Sequence, residues 1–517
     1  MTTPDAPEVL TDRPVTQPDA IDDGERPTDS HQLGSQVRER TAAENSRVIW
    51  LLLAATFVVF LNETIMSVAI PHLVTDLHIS LSAAQWLTTA FMLTMATVIP
   101  VTGFLLQRVA TKPVFITAMS LFSAGTLIAA IAPGFEVLLV ARVVQATGTA
   151  IMLPLLMTTL MTLVAPSDRG RVMGRVTIVM SVAPAIGPAI SGVILTLLSW
   201  RFMFWLVLPI ALVMLLIGAR NVENVGETRK APLDVVSVVL AAIGFGGLVY
   251  GLSLVGGVVG GQSATDAPAM TVSLTVGVLV IAIFVWRQLR LQRRDRALLD
   301  LRTFHNRNFA VSVLLMVAAM AALFGTIIVL PIYLQNVLGL GADQTGLLVL
   351  PGGLVMGLLG PTVGRLFDRV GPFPLLVPSS IAVSGVLWWF TTVSEHTSPW
   401  LVLTAHVVLS ASLAFMFTPL FTAAMGSVQP HLYSHGSAML GTVQQVAGAV
   451  GTAAFITVLA ARISAETAAG SSAVQAEAAG VRGAFVVGAI ISLGAIAGAF
   501  FVRRPTETGD EGMHGGH

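Results

Sequence analysis

The chain has 517 residues, 54% of them hydrophobic and only 11% charged, with no cysteine. A soluble globular protein carries nearer ~25% charged residues, so that class is excluded, and with it disulfides, thiol chemistry and cysteine-ligated metals. The formal net charge is zero, and where the charges stand matters more than their sum.

Residues 1–46 are rich in Pro, Asp, Glu, Thr and Arg and too poor in apolar side chains to form a core, which predicts a disordered cytoplasmic tail. They do not resemble a secretory signal: the first apolar run begins near residue 48, is too long for such a segment and lacks a small-residue cleavage site. Windows of about 19 residues then place apolar spans near 48–70, 82–106, 113–133, 137–164, 171–197, 201–219, 234–255, 269–287, 308–335, 344–366, 373–392, 399–427, 435–461 and 482–502. Runs of this length cross a bilayer as helices. They predict an all-α polytopic membrane protein with 14 transmembrane helices and both termini on one side. A second disordered tail, 505–517, closes the chain, and its His514 and His517 are incidental rather than a metal site.

The basic residues say which side the termini take. With the N-terminus cytoplasmic, the cytoplasmic ends and loops carry Arg108, Lys112, Arg169, Arg171, Arg175, Arg220, Arg229, Lys230, the cluster from Arg287 to Arg307, Arg365, Arg369, Arg503 and Arg504. The opposite loops carry Arg201, Arg462 and Arg482. That asymmetry fits cytoplasmic N and C termini. The Arg287–Arg307 cluster reads as a topology anchor that is also able to meet anionic lipid headgroups.

Two charges break the apolar pattern. Glu63 stands in Leu61-Asn62-Glu63-Thr64, near the end of the first span, and Arg142 lies inside the fourth. An ionised group at such a depth costs at least ~2.5–3.5 kcal/mol and marks a functional candidate. Glu63 is about seven residues, ~10 Å, from the outer end of its span, and Arg142 about five residues, ~8 Å, from the outer end of its own. A guanidinium beside a carboxyl favours the ionised acid and apolar burial favours the neutral one, so a site with both is able to switch. Asn62 would tune it.

The chain also echoes itself. Gly103-Phe104-Leu105-Leu106-Gln107-Arg108 ends span two and Gly364-Arg365-Leu366-Phe367-Asp368-Arg369-Val370-Gly371 ends span ten. The first six and last six helices are then equivalent halves, a known transporter plan. This predicts a tail 1–46, a six-helix bundle 47–220, two inserted helices with flanking cytoplasmic linkers 221–306, a six-helix bundle 307–504 and the tail 505–517.

These residues resemble the major facilitator superfamily, and specifically its fourteen-helix drug:proton antiporters. The turn motif Gly-x-Leu-x-Asp-Arg-x-Gly is intact as Gly364, Leu366, Asp368, Arg369 and Gly371, and degraded around Gly103 and Arg108, where Gln107 replaces the acid and Ala110 the second glycine. The resemblance implies a charge-relay latch on the cytoplasmic side; as plain chemistry, Arg369 beside Asp368 reads as a surface pair. Arg142-Val143-Val144-Gln145-Ala146-Thr147-Gly148 is similar to the helix-four motif, with Gln145 and Gly148 in place. Pro184, Gly187, Pro188 and Gly192 resemble the helix-five motif that in this family accompanies exporters. Residues 297–309 and Gln444-Gln445-Val446-Ala447-Gly448 look like segments of fourteen-helix exporters. In the first helix the family's commonest form has an acid where Asn62 stands; the Asn-Glu-Thr variant is familiar from a branch that includes lincomycin-type multidrug exporters. The sequence leaves open which of Glu63 and Asn62 faces the cavity, since one residue along a helix is a rotation of ~100°.

The resemblance implies a major facilitator fold and proton-coupled export of hydrophobic or amphipathic drugs by alternating access, in the cell membrane, without cofactor, metal or nucleic acid, by a monomer. Proton coupling would rest on Glu63, Arg142 and Asn62. Candidates for the substrate cavity are Gln85, Met92, Met95, Met152, Phe324, Tyr333, Gln335, Phe415, Met416, Phe417, Gln444 and Gln445, because methionine, aromatic and amide side chains suit varied apolar ligands. His406 would titrate near neutral pH or serve as a hydrogen-bonded packing residue. Rival readings are a dedicated exporter of one natural product and a nutrient symporter. No Ser-His-Asp, metal-ligand or phosphate-loop arrangement in the sequence supports an enzyme.

Overall fold

Fourteen helices long and apolar enough to cross a bilayer run through the computed structural model, which describes residues 42–79, 81–225, 234–259, 261 and 264–505. Most of both predicted tails lies outside the described residues, but Ala42 to Ser46 already belong to the first helix. In chain order the helices are α1 (Ala42–Asp76), α2 (Leu81–Arg108), α3 (Thr111–Ala130), α4 (Phe135–Leu163), α5 (Arg169–Leu197), α6 (Arg201–Asn221), α7 (Val235–Val259), α8 (Ala267–Leu291), α9 (Arg307–Ile332), α10 (Ala342–Val370), α11 (Phe373–Phe390), α12 (Pro399–Gly426), α13 (Tyr433–Ala468) and α14 (Ala473–Ala499). Among the described residues there is no strand. A bilayer leaves little choice, because helices satisfy their backbone polar groups internally.

Several helices outrun their apolar cores. α1 continues through the exposed residues His72, Thr75 and Asp76, and the Asp76 carboxylate accepts the Trp200 indole N–H at 3.1 Å, tying α1 to the start of α6. α5 remains helical from Arg169 to Leu197 through Pro184 and Pro188.

Helices α1–α6 and α9–α14 pack by one plan. In the first set α3 lies on α4 and α6, α1 on α4, α5 and α6, and α2 on α4; in the second α11 lies on α12 and α14, α9 on α12, α13 and α14, and α10 on α12. The two sets meet through corresponding pairs, α5 with α10 and α2 with α13.

The α5–α10 seam is built on glycine. A Cβ on Gly170 or Gly174 of α5 would run into the backbone of Gly364 or Gly360 of α10, and the reverse holds as well. Small residues let two backbones touch along the seam. Along α10, Gly357 and Gly353 continue the contact onto Val182 and Ala185. The second seam is its counterpart: a Cβ on Gly103 of α2 would lie 2.9 Å from Ala438 of α13.

Call the face that holds Ala42 and Pro505 the terminal face, and the opposite one the distal face. Among the described residues, every hydrogen bond between the two six-helix sets lies within about three turns of the terminal face. Asp368 accepts from the N–H groups of Gly170 and Arg171, each at 2.8 Å. Arg169 donates to the Tyr433 hydroxyl at 3.0 Å, and the Gln107 amide to the His431 carbonyl at 3.3 Å. Thr158 bonds Ser437 at 2.8 Å and Thr177 bonds Thr418 at 2.7 Å. The terminal face is closed.

The inserted pair sits against this seam. α7 packs on α8 and also touches α2 and α13. Its root is a polar knot: Asp234 takes two hydrogen bonds from Arg287, each at 2.8 Å, and one from Ser237. The bonds from Arg287 hold the Asp234 carboxyl below its ordinary value. Buried Gln288 donates to Ser237 at 2.8 Å and accepts the backbone N–H of Leu298 at 2.7 Å. In the linker onward, Asp300 caps the turn Leu301–His305 and binds Arg302, which also reaches Asp295. Its hydrogen bonds to Asp300 push the Arg302 guanidinium still higher. The basic cluster is thus partly neutralised by its own carboxylates.

Candidate functional site

Glu63, Asn62 and Arg142 come together. Arg142 of α4 is buried, with its guanidinium 4.0 Å above the Phe91 ring of α2 and its Nε donating to the Leu87 carbonyl at 3.4 Å. Its Nη1 donates to Gln145 Oε1 at 3.0 Å. The Gln145 amide then donates to Thr126 Oγ1 of α3 at 2.8 Å and reaches Asn62 Oδ1 of α1 at 3.5 Å. Glu63 stands within the electrostatic field of Arg142 but forms no ion pair or hydrogen bond with it among the described residues.

This settles the rotation of α1. Asn62 is 1% exposed and points to α4, leaving its Nδ2 buried without a partner. Glu63 keeps part of its surface accessible. The depth argument needs two corrections: α1 runs on to Asp76, so Glu63 is thirteen residues, ~20 Å, from its distal end rather than seven, and α4 begins at Phe135, so Arg142 is seven residues, ~10 Å, from its own rather than five.

The helix-five residues belong to the same place. A Cβ on Gly187 would strike Thr64, next to Glu63, and the Ser191 hydroxyl donates to the Ile65 carbonyl at 2.9 Å. Gly187 and Ser191 therefore let α5 lie directly on the turn of α1 that carries Glu63. Pro184 is partly buried in the same helix, a Cβ on Gly192 would meet nothing within 4 Å, and the Pro188 side chain lies outside the described residues. Gly148 is a packing position, since a Cβ there would meet the α3 backbone at Ala118 and Phe122.

The turn motifs differ from expectation. Asp368 does not form a surface pair with Arg369, which is exposed; it caps α5 across the seam. A carboxylate is favoured there because the first N–H groups of a helix lack partners and carry partial positive charge. In the degraded copy, Gln107 crosses the other seam as a donor instead, while Arg108 is exposed at the end of α2. Gly371 ends α10 at φ +78°, a conformation that favours glycine.

A cavity of about 30 Å³ lies between the two sets, lined by Thr177, Met180 and Ser181 of α5, Met320 and Leu323 of α9, Met356 of α10 and Phe417 and Phe421 of α12. It would hold a water or two, against ~300–1,000 Å³ for a drug-sized pocket. Of the predicted cavity residues, Phe417 lines it. Met152 is a core residue, as is Tyr333, whose hydroxyl donates to the Ser394 carbonyl at 2.6 Å. Gln335 is exposed in the turn ending α9. Met92 is exposed on α2, Gln444 is buried on α13 with Nε2 unpartnered, and neither lines the cavity. The Gln85 side chain lies outside the described residues. Sequence reading passed over Met320, Met356, Met180 and the Thr177–Ser181 pair, although Phe417 and Phe421, four apart on one helix, carried a visible signal.

Comparison with known proteins bears on this arrangement. A family model described as Major Facilitator Superfamily matches residues 52–452. Lincomycin resistance protein LmrB of Listeria monocytogenes is 38% identical, over 90% of this chain and 99% of that one. The uncharacterized MFS-type transporter YcnB of Bacillus subtilis is also 38% identical, over 92% and 98%. Among solved structures, the human organic anion transporter MFSD10 matches with a TM-score of 0.63 at 14% identity, covering 88% of this chain and 99% of that one.

Proposed function

This chain belongs to the major facilitator superfamily and is a multi-pass membrane transporter; from that premise we propose that it is a proton-coupled antiporter exporting hydrophobic or amphipathic drugs and other toxic compounds. The observation that carries the reading is a lone acid, Glu63, set beside the buried Arg142–Gln145–Asn62 chain and under the Pro/Gly stretch of α5. The names of the relatives, which speak of lincomycin and multidrug resistance, support the substrate class.

With the terminal face cytoplasmic, as its arginines favour, the present conformation is closed to the cytoplasm. Glu63 takes a proton from outside as substrate leaves. Protonation removes the attraction between Glu63 and Arg142 and frees α1 to shift against α4 and α5. The halves rock, and the proton passes to the cytoplasm. Each proton contributes ~1.4 kcal/mol per pH unit and ~2.3 kcal/mol per 100 mV, enough for a gradient on the order of a hundredfold in a neutral compound.

The test is dye efflux in inverted vesicles held at a known pH gradient, native protein against Glu63→Gln. Gradient-driven transport that vanishes in the variant supports the reading. Uphill transport by Glu63→Gln would remove Glu63 from the coupling step.

A further inference from the structure

Arg142 has a counterpart in the second six-helix set. Aligning α4 and α12 from their first residues, Phe135 and Pro399, places Ala141-Arg142-Val143-Val144 on Ala405-His406-Val407-Val408 and Met152 on Met416. The side chains also make matching contacts. Arg142 donates to a carbonyl of α2, Leu87, and lies over Phe91. His406 Nε2–H donates to a carbonyl of α10, Val349, at 3.2 Å, and packs on Gly352. Phe91 and Gly352 hold the same register ahead of Gly103 and Gly364. Because a carbonyl only accepts, the ring carries its proton on Nε2, and Nδ1 is left as a buried acceptor without a partner.

The contact falls where α10 is weakest. Pro351 has no N–H to give the helix, and Gly352 and Gly353 are poor helix formers. From Gly353 to Gly364 the helix is fixed on α5. On the distal side Leu347 is 69% exposed and Gly346 has open space around it.

We propose that His406 is a positioning residue that clamps the Pro351–Gly353 stretch of α10 onto α12 while its ring is neutral, and that proton uptake on Nδ1 releases the distal segment of α10. An Nδ1–H would be a buried donor on a buried cation with no acceptor within hydrogen-bond distance in this conformation, a costly state unless the seam opens to water. Among the described side chains, no charged group nearby offsets that cost. α11 has no ionisable side chain and α12 has only His406; α9 has Arg307 at its terminal end. α10 has Arg365, Asp368 and Arg369 three turns or more away, with Asp343 outside the described side chains. α5 carries Arg169, Arg171 and Arg175 in its first two turns, and α13 has His435, Arg462 and Glu466 near its ends. Glu395 and His396 stand in the loop before α12.

The inference rests on the alternating-access reading, but its test reads helix position rather than transport. The natural chain has no cysteine, so spin labels at Leu347→Cys and Leu401→Cys, positions 69% and 56% exposed, report the α10–α12 separation of the full chain in lipid nanodiscs. In a Glu63→Gln background, a longer distance should grow between about pH 8 and about pH 5, the population ratio changing by up to about tenfold per pH unit. Adding His406→Gln, which keeps an N–H for Val349 but does not titrate, should abolish the change; His406→Arg should show the longer distance at both pH values. A pH response that survives His406→Gln, or none in Glu63→Gln alone, overturns the proposal. Failure of the export assay with every compound would sink the drug-export reading and leave this readout intact.

Discussion

Gln145 gives three side chains from three helices a common partner: Arg142 on its own helix, Thr126 on α3 and Asn62 on α1. Replacing it with leucine keeps the volume and takes the partner from Arg142 Nη1 and Asn62 Oδ1 in the interior, where an unpaired polar group costs about 1–3 kcal/mol. Gln145→Leu should lower the thermal stability of the detergent-solubilised protein and also blunt proton-driven export, whereas loss of stability with export and its pH dependence unchanged would make the chain purely structural. Glu63 and Arg142 were legible in the sequence because a charge in an apolar run is conspicuous. Gln145 was legible only as part of the family-like helix-four motif, since nothing in α4 alone says that its amide faces α1 and α3. Tyr333 and Met152 have types that suit a drug pocket, but in this conformation both are fully buried and the Tyr333 hydroxyl is bound to the Ser394 carbonyl.

At the scale of elements, the α5–α10 pair holds the terminal face shut. Glycine lets the backbones meet, and Asp368 then reaches the first turn of α5. A carboxylate at a helix N-terminus contributes about 0.3–1 kcal/mol at exposed sites and up to ~2 when partly buried. Asp368→Asn should therefore shift the closed-to-open ratio of this face by roughly three- to tenfold, read as faster labelling of a cysteine at Thr418, while Arg369→Ala should leave the rate unchanged. Equal effects of the two variants would return the motif to a surface pair. The inserted helices respond to pH elsewhere on the scale. Because Asp234 is held below its ordinary value, its clip to Arg287 is fully formed above the unfolded carboxylate pKa of ~3.9 and is lost only as pH falls through the lower folded value. Any pH response of transport near neutrality arises outside this clip.

For the whole molecule, closure at the terminal face is what one end of an alternating-access cycle requires. Thr158 and Ser437 face each other across the closed face with hydroxyls 2.8 Å apart, and no natural cysteine competes. A Thr158→Cys/Ser437→Cys pair should cross-link on oxidation, stop export, and recover it on reduction; export by the oxidised protein would show that this face need not open. The sequence alone determined the number and placement of the fourteen spans, the all-helical class and the two charges inside them, because a bilayer demands long apolar runs and makes each exception visible. It did not determine that Asp368 caps α5, that Gln145 joins Asn62 to Arg142, that Phe417 lines one cavity with Met320 and Met356, or which face is shut. Those facts depend on how each helix is rotated about its axis, and a helix apolar on nearly every side carries little pattern from which to read that rotation. Only packing against the neighbouring helices decides it.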